Sequence, residues 1–236
     1  MVRRYPLATA LLLLVTVPGT ARAADFTVAV DAREAGRRIL HVQQTFSSTP
    51  GVMALSYPKW LPGEHGPTGP NTDVAGLIIR AAGRTLDWRR DPVDMNTVRF
   101  EAPAGVTSID VSFDFLLDGS PQGFTAAAGA TENLLLLSWN EVSLYPAGRA
   151  ADELRCEARL TLPAGWRYGT ALETRTSAHG LTRFAPCSYT TLVDSPVLAG
   201  RHFLFALGTT PLNGNDVRFV QSVGASPTGF EPVLPP

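Results

Sequence analysis

The stretch LSYPKWLPGEHGPTGPNTD, residues Leu55–Asp73, determines how the segments on either side of it can be connected. It begins as an apolar run and then contains four prolines and three glycines. Proline fixes φ and removes a backbone donor, so neither a regular helix nor an inner strand can pass through this segment. We therefore predict a rigid, irregular loop. Its Trp60 leaves two interpretations open: the indole plugs the edge of a core, or the stiff loop lines a site or an interface.

Around this loop the chain alternates apolar and polar residues with the two-residue period of half-buried strands. The clearest case is IDVSFDF, residues 109–115, where every odd position is apolar and every even position is polar. Strands are also predicted over residues 26–31, 38–46, 52–57, 74–80, 84–88, 96–101, 134–137, 154–162, 166–168, 181–184, 203–207 and 217–221. Residues 118–131 have no usable period and are predicted to form a long surface loop. Short strands separated by turn signals predict an all-β fold, a twisted sandwich or saddle of antiparallel strands.

The two ends of the chain differ in composition from its middle. Residues 1–23 contain two early arginines, an apolar stretch over 7–17 and a small-residue cleavage site that ends at Ala23, which is the layout of a secretory signal peptide. The apolar stretch is shorter than the about 20 residues that a membrane-spanning helix needs, so we predict no stable membrane insertion. We predict cleavage near Ala23 and a secreted or periplasmic protein, with a β domain over 24–223 and a flexible, proline-rich tail over 224–236.

The charge balance bears on the class of partner. Without the predicted signal peptide the chain has 17 basic and 21 acidic residues, a formal charge of −4. Binding to a nucleic acid depends on clustered lysine and arginine side chains. This mildly acidic chain is therefore expected to bind no nucleic acid.

Cys156 and Cys187 are the only cysteines. In an oxidising compartment they are a candidate disulfide that closes a loop of about 30 residues. The alternative is a pair of buried, unbonded thiols. Two cysteines without nearby histidines cannot form a four-ligand zinc site.

Five segments together carry a resemblance to a known family. The first is YPKWLPGEHGPTGPNTDVAGLII, residues 57–79, and the others are residues 83–86, 96–100, 138–146 and 190–200. In this order and spacing they resemble the N-terminal domain of the M61 family of metallopeptidases, the glycyl-aminopeptidase-like enzymes. The similarity extends from roughly residue 26 to 208, most of the mature chain. The resemblance implies structural or interface roles for the matching residues Trp60, Pro62, Gly63, Glu64, His65, Gly66, Trp139, Asn140, Asp194, Ser195, Pro196 and Gly200.

The resemblance also implies a function that is completed outside this chain. In such enzymes the β domain is expected to pack on a zinc peptidase domain and to help shape the peptide cleft. That peptidase domain, in cis or in trans, is the expected partner of this chain. Peptide is a further candidate ligand. Zinc is expected only in the peptidase domain. The peptidase motif His-Glu-x-x-His does not occur here, because the four histidines, His41, His65, His179 and His202, are too far apart in sequence. We therefore expect no cofactor in this chain and no catalysis by it alone; a truncated gene, a fragment and a free-standing domain all fit.

Two smaller patterns are candidates for chemistry of their own. Glu64-His65 is a local pair that the rigid loop would hold in place, although solvated loop charges are the simpler interpretation. Ser195, between Asp194 and Pro196, is typical of turn chemistry, and no Gly-x-Ser-x-Gly nucleophile motif occurs. Neither pattern predicts a catalytic centre.

A rival function is a stand-alone β-sandwich module that binds peptide or carbohydrate. Such a module would present exposed aromatic side chains in a shallow groove. The candidates are the four tryptophans, Trp60, Trp88, Trp139 and Trp166, which would have to cluster on one face.

Overall fold

The computed structural model describes residues 23–61, 64–117, 128–212 and 215–224, and in the last hairpin, residues 203–212 and 215–224, it describes the backbone alone. Several sequence predictions lie outside these residues. They are the signal peptide up to residue 22, the family-pattern residues Pro62 and Gly63, most of the loop predicted over 118–131, and the tail beyond Gly224.

The described residues form an almost entirely β structure, as predicted. In chain order the strands are β1 (Phe26–Asp31), β2 (Ile39–Ser47), β3 (Gly51–Ser56), β4 (Val74–Ala81), β5 (Arg84–Leu86), β6 (Trp88–Arg90), β7 (Thr97–Ala102), β8 (Ser108–Leu116), β9 (Gly129–Ala130), β10 (Leu134–Leu137), β11 (Tyr145–Pro146), β12 (Arg155–Thr161), β13 (Arg167–Gly169), β14 (Thr174–Ala178), β15 (Leu181–Phe184), β16 (Cys187–Ser188), β17 (Val197–Gly200), β18 (Phe203–Leu212) and β19 (Asn215–Gly224). The helical elements are α1 (Tyr189–Val193) and two 3-10 turns, Ala35–Arg37 and Asn71–Asp73. Within the described ranges no helix is long and apolar enough to cross a membrane.

The strands form one large sheet and three smaller ones. The large sheet has the order β14-β15-β12-β1-β2-β8-β4-β5, with β16 also paired to β12. Two four-stranded sheets have the orders β13-β17-β10-β9 and β11-β3-β7-β6, and β18 and β19 form a hairpin. The pairing is antiparallel, as predicted, except that β1 and β12 run parallel. A parallel pair needs a long connection, and more than a hundred residues separate these two strands.

The core lies on one face of the large sheet. Its four central strands alternate strictly, so that the even positions of β1, β2 and β12 and the odd positions of β8 are buried. Almost all of these side chains are apolar, and they pack into a single cluster that extends from Phe26 to Ala199. Gln44, 1% exposed, is a polar exception on this face.

Three sequence interpretations are corrected by the structure. The strand predicted over 84–88 divides at Asp87, because β5 pairs with β4 in the large sheet whereas β6 pairs with β7 in a smaller one. The interpretation of Trp60 as a plug of the core edge is wrong, since this side chain is 64% exposed. Part of the predicted surface loop, Gly129–Ala130, is strand β9, which pairs with β10.

Candidate functional site

The proline-rich loop, residues 57–73, meets the SWNEVSLYP segment, residues 138–146. The Tyr57 hydroxyl donates a 2.7 Å hydrogen bond to the backbone carbonyl of Glu141. At the same place β11 pairs with β3, so that Tyr145 lies opposite Ser56. Two stretches more than sixty positions apart in sequence are therefore in direct contact.

The last of the five stretches, TTLVDSPVLAG at residues 190–200, lies at the same place. Strand β17, which ends this stretch, pairs antiparallel with β10, which leads into the SWNEVSLYP segment. The hydroxyl of Ser143 lies 2.9 Å from that of Tyr189 at the start of α1. The Tyr189 and Tyr145 rings also lie side by side, with their centroids 5.4 Å apart. We refer to Tyr57, Glu141, Ser143 and Tyr189, together with Asp73, whose charge acts on Tyr57 and Glu141, as the motif junction.

Gln44 attaches the SWNEVSLYP segment to the large sheet. Its side-chain amide donates to the Leu144 carbonyl at 2.9 Å and accepts from the Leu144 N–H at 2.8 Å. A segment that lies on a sheet without forming part of it must find other partners for its backbone groups, and one buried side chain supplies both of them here. The sequence contains a signal for this role, because Gln44 occupies an apolar position of an alternating strand; the role was not predicted.

Glu141 is the buried ionisable group of the motif junction. Only 2% of its surface is exposed, and its Oε2 accepts a 2.9 Å hydrogen bond from the Ala128 N–H. Burial raises the pKa of Glu141 from 4.5 to about 7; the Asp73 carboxylate raises it as well, and the Ala128 N–H opposes the shift. Burial, followed by the charges of Glu141 and Asp73, also holds the pKa of Tyr57 well above its ordinary value. The junction therefore contains an acid that changes its charge near neutral pH.

Two neighbouring side chains of the SWNEVSLYP segment are buried with polar atoms unsatisfied. Trp139 has no exposed surface and packs edge-to-face on Phe184, with the ring centroids 6.0 Å apart. Asn140 is 5% exposed. Among the described residues neither the Trp139 Nε1–H nor the Asn140 Oδ1 has a hydrogen-bond partner. Unsatisfied groups of this kind are uncommon in folded proteins. Trp139 and Asn140 belong to the residues predicted from the sequence, whereas the adjacent Glu141 does not, because its burial cannot be read from one sequence.

The remaining residues of the proline-rich loop lie near the surface. His65 is exposed, and Glu64 and Gly66 are half-buried. Gly69 lies so close to the backbone of Pro58 that no other residue fits there: a Cβ atom would come within 1.9 Å of the Pro58 carbonyl oxygen. The described parts of the loop on either side of residues 62–63 therefore lie in close backbone contact at Gly69 and Pro58.

The 190–200 stretch has structural roles at the positions that the sequence singled out. The Ser195 hydroxyl is 4% exposed and donates a 2.7 Å hydrogen bond to the Thr191 carbonyl, which closes the end of α1. Asp194 and Pro196 on either side are exposed. A Cβ atom at Gly200 would lie 2.6 Å from the Asn133 carbonyl oxygen, so glycine is required for the close approach of the backbones. Ser195 is thus engaged in turn chemistry, as the sequence predicts.

The tryptophans do not form a shared exposed face. Trp139 is fully buried. Trp88 and Trp166 are half-buried and pack against the core, and the Trp88 Nε1–H donates to the Leu77 carbonyl at 3.2 Å. Trp60 alone of the four is exposed.

The histidines do not converge on a metal site. His41 bonds through Nδ1 to Asp114 at 2.7 Å on the outer face of the large sheet, and this hydrogen bond raises the pKa of His41. In the part of the chain that the structure describes, no group of three or more His, Cys, Asp or Glu side chains could hold a metal ion. These residues do not fit a catalytic zinc, which needs three protein ligands.

Comparison with known proteins adds independent findings. A family model for the peptidase M61 N-terminal domain matches residues 27–201. A search of curated proteins found no match. Among solved structures, an aminopeptidase N family protein from Idiomarina loihiensis matches with a TM-score of 0.67 and 18% identity, over 84% of this chain and 32% of that protein. An M1 zinc metallopeptidase from Deinococcus radiodurans matches with a TM-score of 0.49 and 12% identity, over 87% of this chain and 48% of its own. The chain thus spans less than half the length of either protein, and the first match shows a shared fold.

Proposed function

Because the chain belongs to the family of peptidase M61 N-terminal domains, we propose that it packs against a zinc peptidase domain, in cis or in trans, and helps to shape that domain's peptide cleft. The motif junction carries this proposal. Three stretches typical of the family meet there rather than being dispersed over the fold. Tyr57 of the proline-rich loop bonds to Glu141 of the SWNEVSLYP segment. Ser143 of that segment bonds to Tyr189, the residue before the 190–200 stretch. A surface presented to another domain must be held in place by such contacts.

A candidate docking surface lies next to the proline-rich loop. Trp60, Val93 and Met95 are 64%, 93% and 57% exposed. The adjacent residues Lys59 and Asp94 form an ion pair of 2.8 Å, which holds the loop against the 91–96 turn. Exposed apolar side chains gathered at one place favour an interaction site, and an exposed tryptophan is a common anchor of protein interfaces.

The chain alone is proposed to be non-catalytic. Among the residues that the structure describes, no group of side chains could hold zinc, and the Ser195 hydroxyl is engaged in closing α1. Zinc and the water that it activates would belong to the peptidase domain. The contribution of this chain would be to bind that domain and to position its surface.

The test is a two-component assay. The mature chain, residues 24–236, is combined with an M61-type peptidase domain, identified by a His-Glu-x-x-His motif in the same genome. We expect a complex in size-exclusion chromatography and zinc-dependent release of arylamine from aminoacyl arylamides. We expect no release by the chain alone, with or without added zinc. Hydrolysis by the chain alone would overturn the non-catalytic role, and failure to form a complex would overturn the packing.

A matched pair of variants locates the interface. Substituting Trp60→Ser together with Met95→Ser is expected to weaken the complex by about tenfold or more, since an interface tryptophan commonly contributes about 2 kcal/mol. Val52→Ser is the control, because Val52 is also an exposed apolar side chain, at 72%, but lies at the other end of β3 from the loop. If the Trp60→Ser, Met95→Ser variant and the Val52→Ser variant bind the peptidase domain with equal affinity, the interface lies elsewhere.

Export is a separate part of the proposal. The charged start, short apolar stretch and small-residue site of residues 1–23 support cleavage near Ala23 and a secreted or periplasmic location. Mass spectrometry of the protein from its native host is expected to find a mature N-terminus at about Ala24. A protein that retains residues 1–23 in its native host would contradict the proposed cleavage.

The rival function, a stand-alone module for peptide or carbohydrate, receives less support. It requires a face of several exposed tryptophans, whereas Trp60 is exposed, Trp139 is buried and the other two pack against the core. Specific binding of a peptide or an oligosaccharide to the chain alone, measured by isothermal titration calorimetry, would favour this rival function instead.

A further inference from the structure

Cys156 and Cys187 lie directly opposite each other in the large sheet. Cys156 on β12 pairs in register with Cys187 on β16, and the next pair is Arg155 with Ser188. Directly opposite residues of an antiparallel pair have Cα atoms about 4.5–5.5 Å apart and side chains on the same face. That separation falls within the range of about 4.4–6.8 Å that a disulfide bond spans. Sequence spacing left the bonding of these two cysteines open, and the strand register brings them together.

The two thiols differ in exposure and in acidity. Both are free thiols in the structure; Cys156 is fully buried and Cys187 is half-buried. The Cys156 Sγ lies 3.7 Å from the Cys187 carbonyl oxygen, so it points toward the opposite strand. The hydrogen bond between the thiols lowers the pKa of Cys187 and raises that of Cys156, and burial raises the latter further. A half-buried thiol of lowered pKa beside a fully buried one is an arrangement of attacking and resolving cysteines.

We propose that Cys156 and Cys187 form a reversible disulfide by thiol–disulfide exchange with a disulfide-bonded donor. The Cys187 thiolate attacks the donor disulfide; a Cys187–donor bond forms, the donor S–S bond breaks and one donor thiolate leaves. Cys156 then loses its proton and attacks the Cys187 sulfur, which breaks the mixed disulfide and releases the second donor thiolate. The two cysteines lose two electrons and two protons, and the donor is reduced to two thiols.

The bond would fasten the helix that supports the motif junction. Strand β16 is only two residues long and continues directly into α1, whose first residue, Tyr189, bonds to Ser143. Oxidation would close the loop that contains β13, β14 and β15, and it would hold the start of α1 against β12. This inference is independent of the proposed function, since it depends only on the strand register and on the two thiols.

The experiment uses the wild-type mature chain, reduced with dithiothreitol or incubated with an excess of oxidised glutathione. We expect two free thiols per chain in denaturant after reduction and none after oxidation. The intact mass should fall by that of two hydrogens, and a cross-linked peptide should join Cys156 to Cys187. The oxidised form should unfold about 5–10 °C higher, as expected for a closed loop of this length in a domain of this size.

Single variants test the division of roles. Cys156→Ser should retain a glutathione adduct on Cys187, because the resolving thiol is gone. Cys187→Ser should acquire little or no adduct on the buried Cys156. The proposal is overturned if wild-type protein keeps both thiols in excess oxidised glutathione or stops at a glutathione adduct on Cys187. Bonding between chains instead of within one, or equal unfolding temperatures of the two forms, would also overturn it.

Discussion

Replacing Gln44 by leucine should cost far more stability than the same change one residue earlier. Gln44 is 1% exposed and makes two hydrogen bonds, 2.9 and 2.8 Å long, to the backbone of Leu144. In Gln44→Leu the buried N–H and C=O of Leu144 lose both partners, and each orphaned group costs about 1–3 kcal/mol. The added apolar burial offsets about 1–2 kcal/mol of this. The net loss is therefore expected to be about 2.5 kcal/mol, the middle of a range from about 0 to 5 kcal/mol.

Gln43→Leu is the matched control. Gln43 lies on the same strand and undergoes the same chemical change, but its side chain is on the exposed face of β2. We expect its effect to be within about 0.5 kcal/mol of zero. The assay is thermal unfolding followed by tryptophan fluorescence, in which Gln44→Leu should lower the midpoint by about 5–10 °C. Equal midpoints for the two variants, or a Gln44→Leu midpoint unchanged from wild type, would refute the idea that Gln44 anchors the SWNEVSLYP segment.

Three further predictions concern the same region of the molecule. The free energy of unfolding should fall by about 3 kcal/mol as the pH rises from 4.5 to 7. The reason is that the folded-state pKa of Glu141 is raised to about 7, so that the unfolded chain releases this proton first. Urea unfolding of the Glu141→Gln variant, measured over the same pH range, should lack this part of the decrease. Gly200→Ala should destabilise the folded chain by about 1–3 kcal/mol in thermal unfolding, since the added Cβ would lie 2.6 Å from the Asn133 carbonyl oxygen. Gly66→Ala is the control and should cost less, because a Cβ there would lie 3.9 Å from its nearest neighbour, the Thr68 side chain. Ser195→Ala should cost about 1 kcal/mol of stability by losing one buried hydrogen bond, and the arylamidase activity of the two-component assay should not depend on it.

Each of these has a definite contrary result. If the free energies of unfolding of the wild type and of Glu141→Gln differ by the same amount at pH 4.5 and at pH 7, Glu141 ionises normally in the folded chain. Equal losses of stability in Gly200→Ala and Gly66→Ala would show that the close contact between Gly200 and the Asn133 carbonyl does not require glycine. Loss of hydrolysis in Ser195→Ala with unchanged stability would assign that hydroxyl to chemistry rather than to the end of α1.

The sequence by itself determined the fold class, most strands and the family. Alternation over residues 26–31 and 109–115 predicted β1 and β8, because the two-residue period is a local property of an extended chain with one buried face. The proline-rich loop was predicted for an equally local reason, since proline restricts its own backbone and removes its own donor. Ser195 was interpreted correctly from its neighbours alone.

Only the tertiary structure decided which of these pieces meet. The parallel pairing of β1 with β12, the division of the 84–88 strand between two sheets and the exposure of Trp60 all depend on contacts between residues distant in sequence. The burial of Glu141 has the same origin, because its environment is built from Tyr57, Asp73 and Ala128 on other segments. An ionisable group acquires its charge state from the side chains and solvent around it, and one sequence without its fold does not specify them.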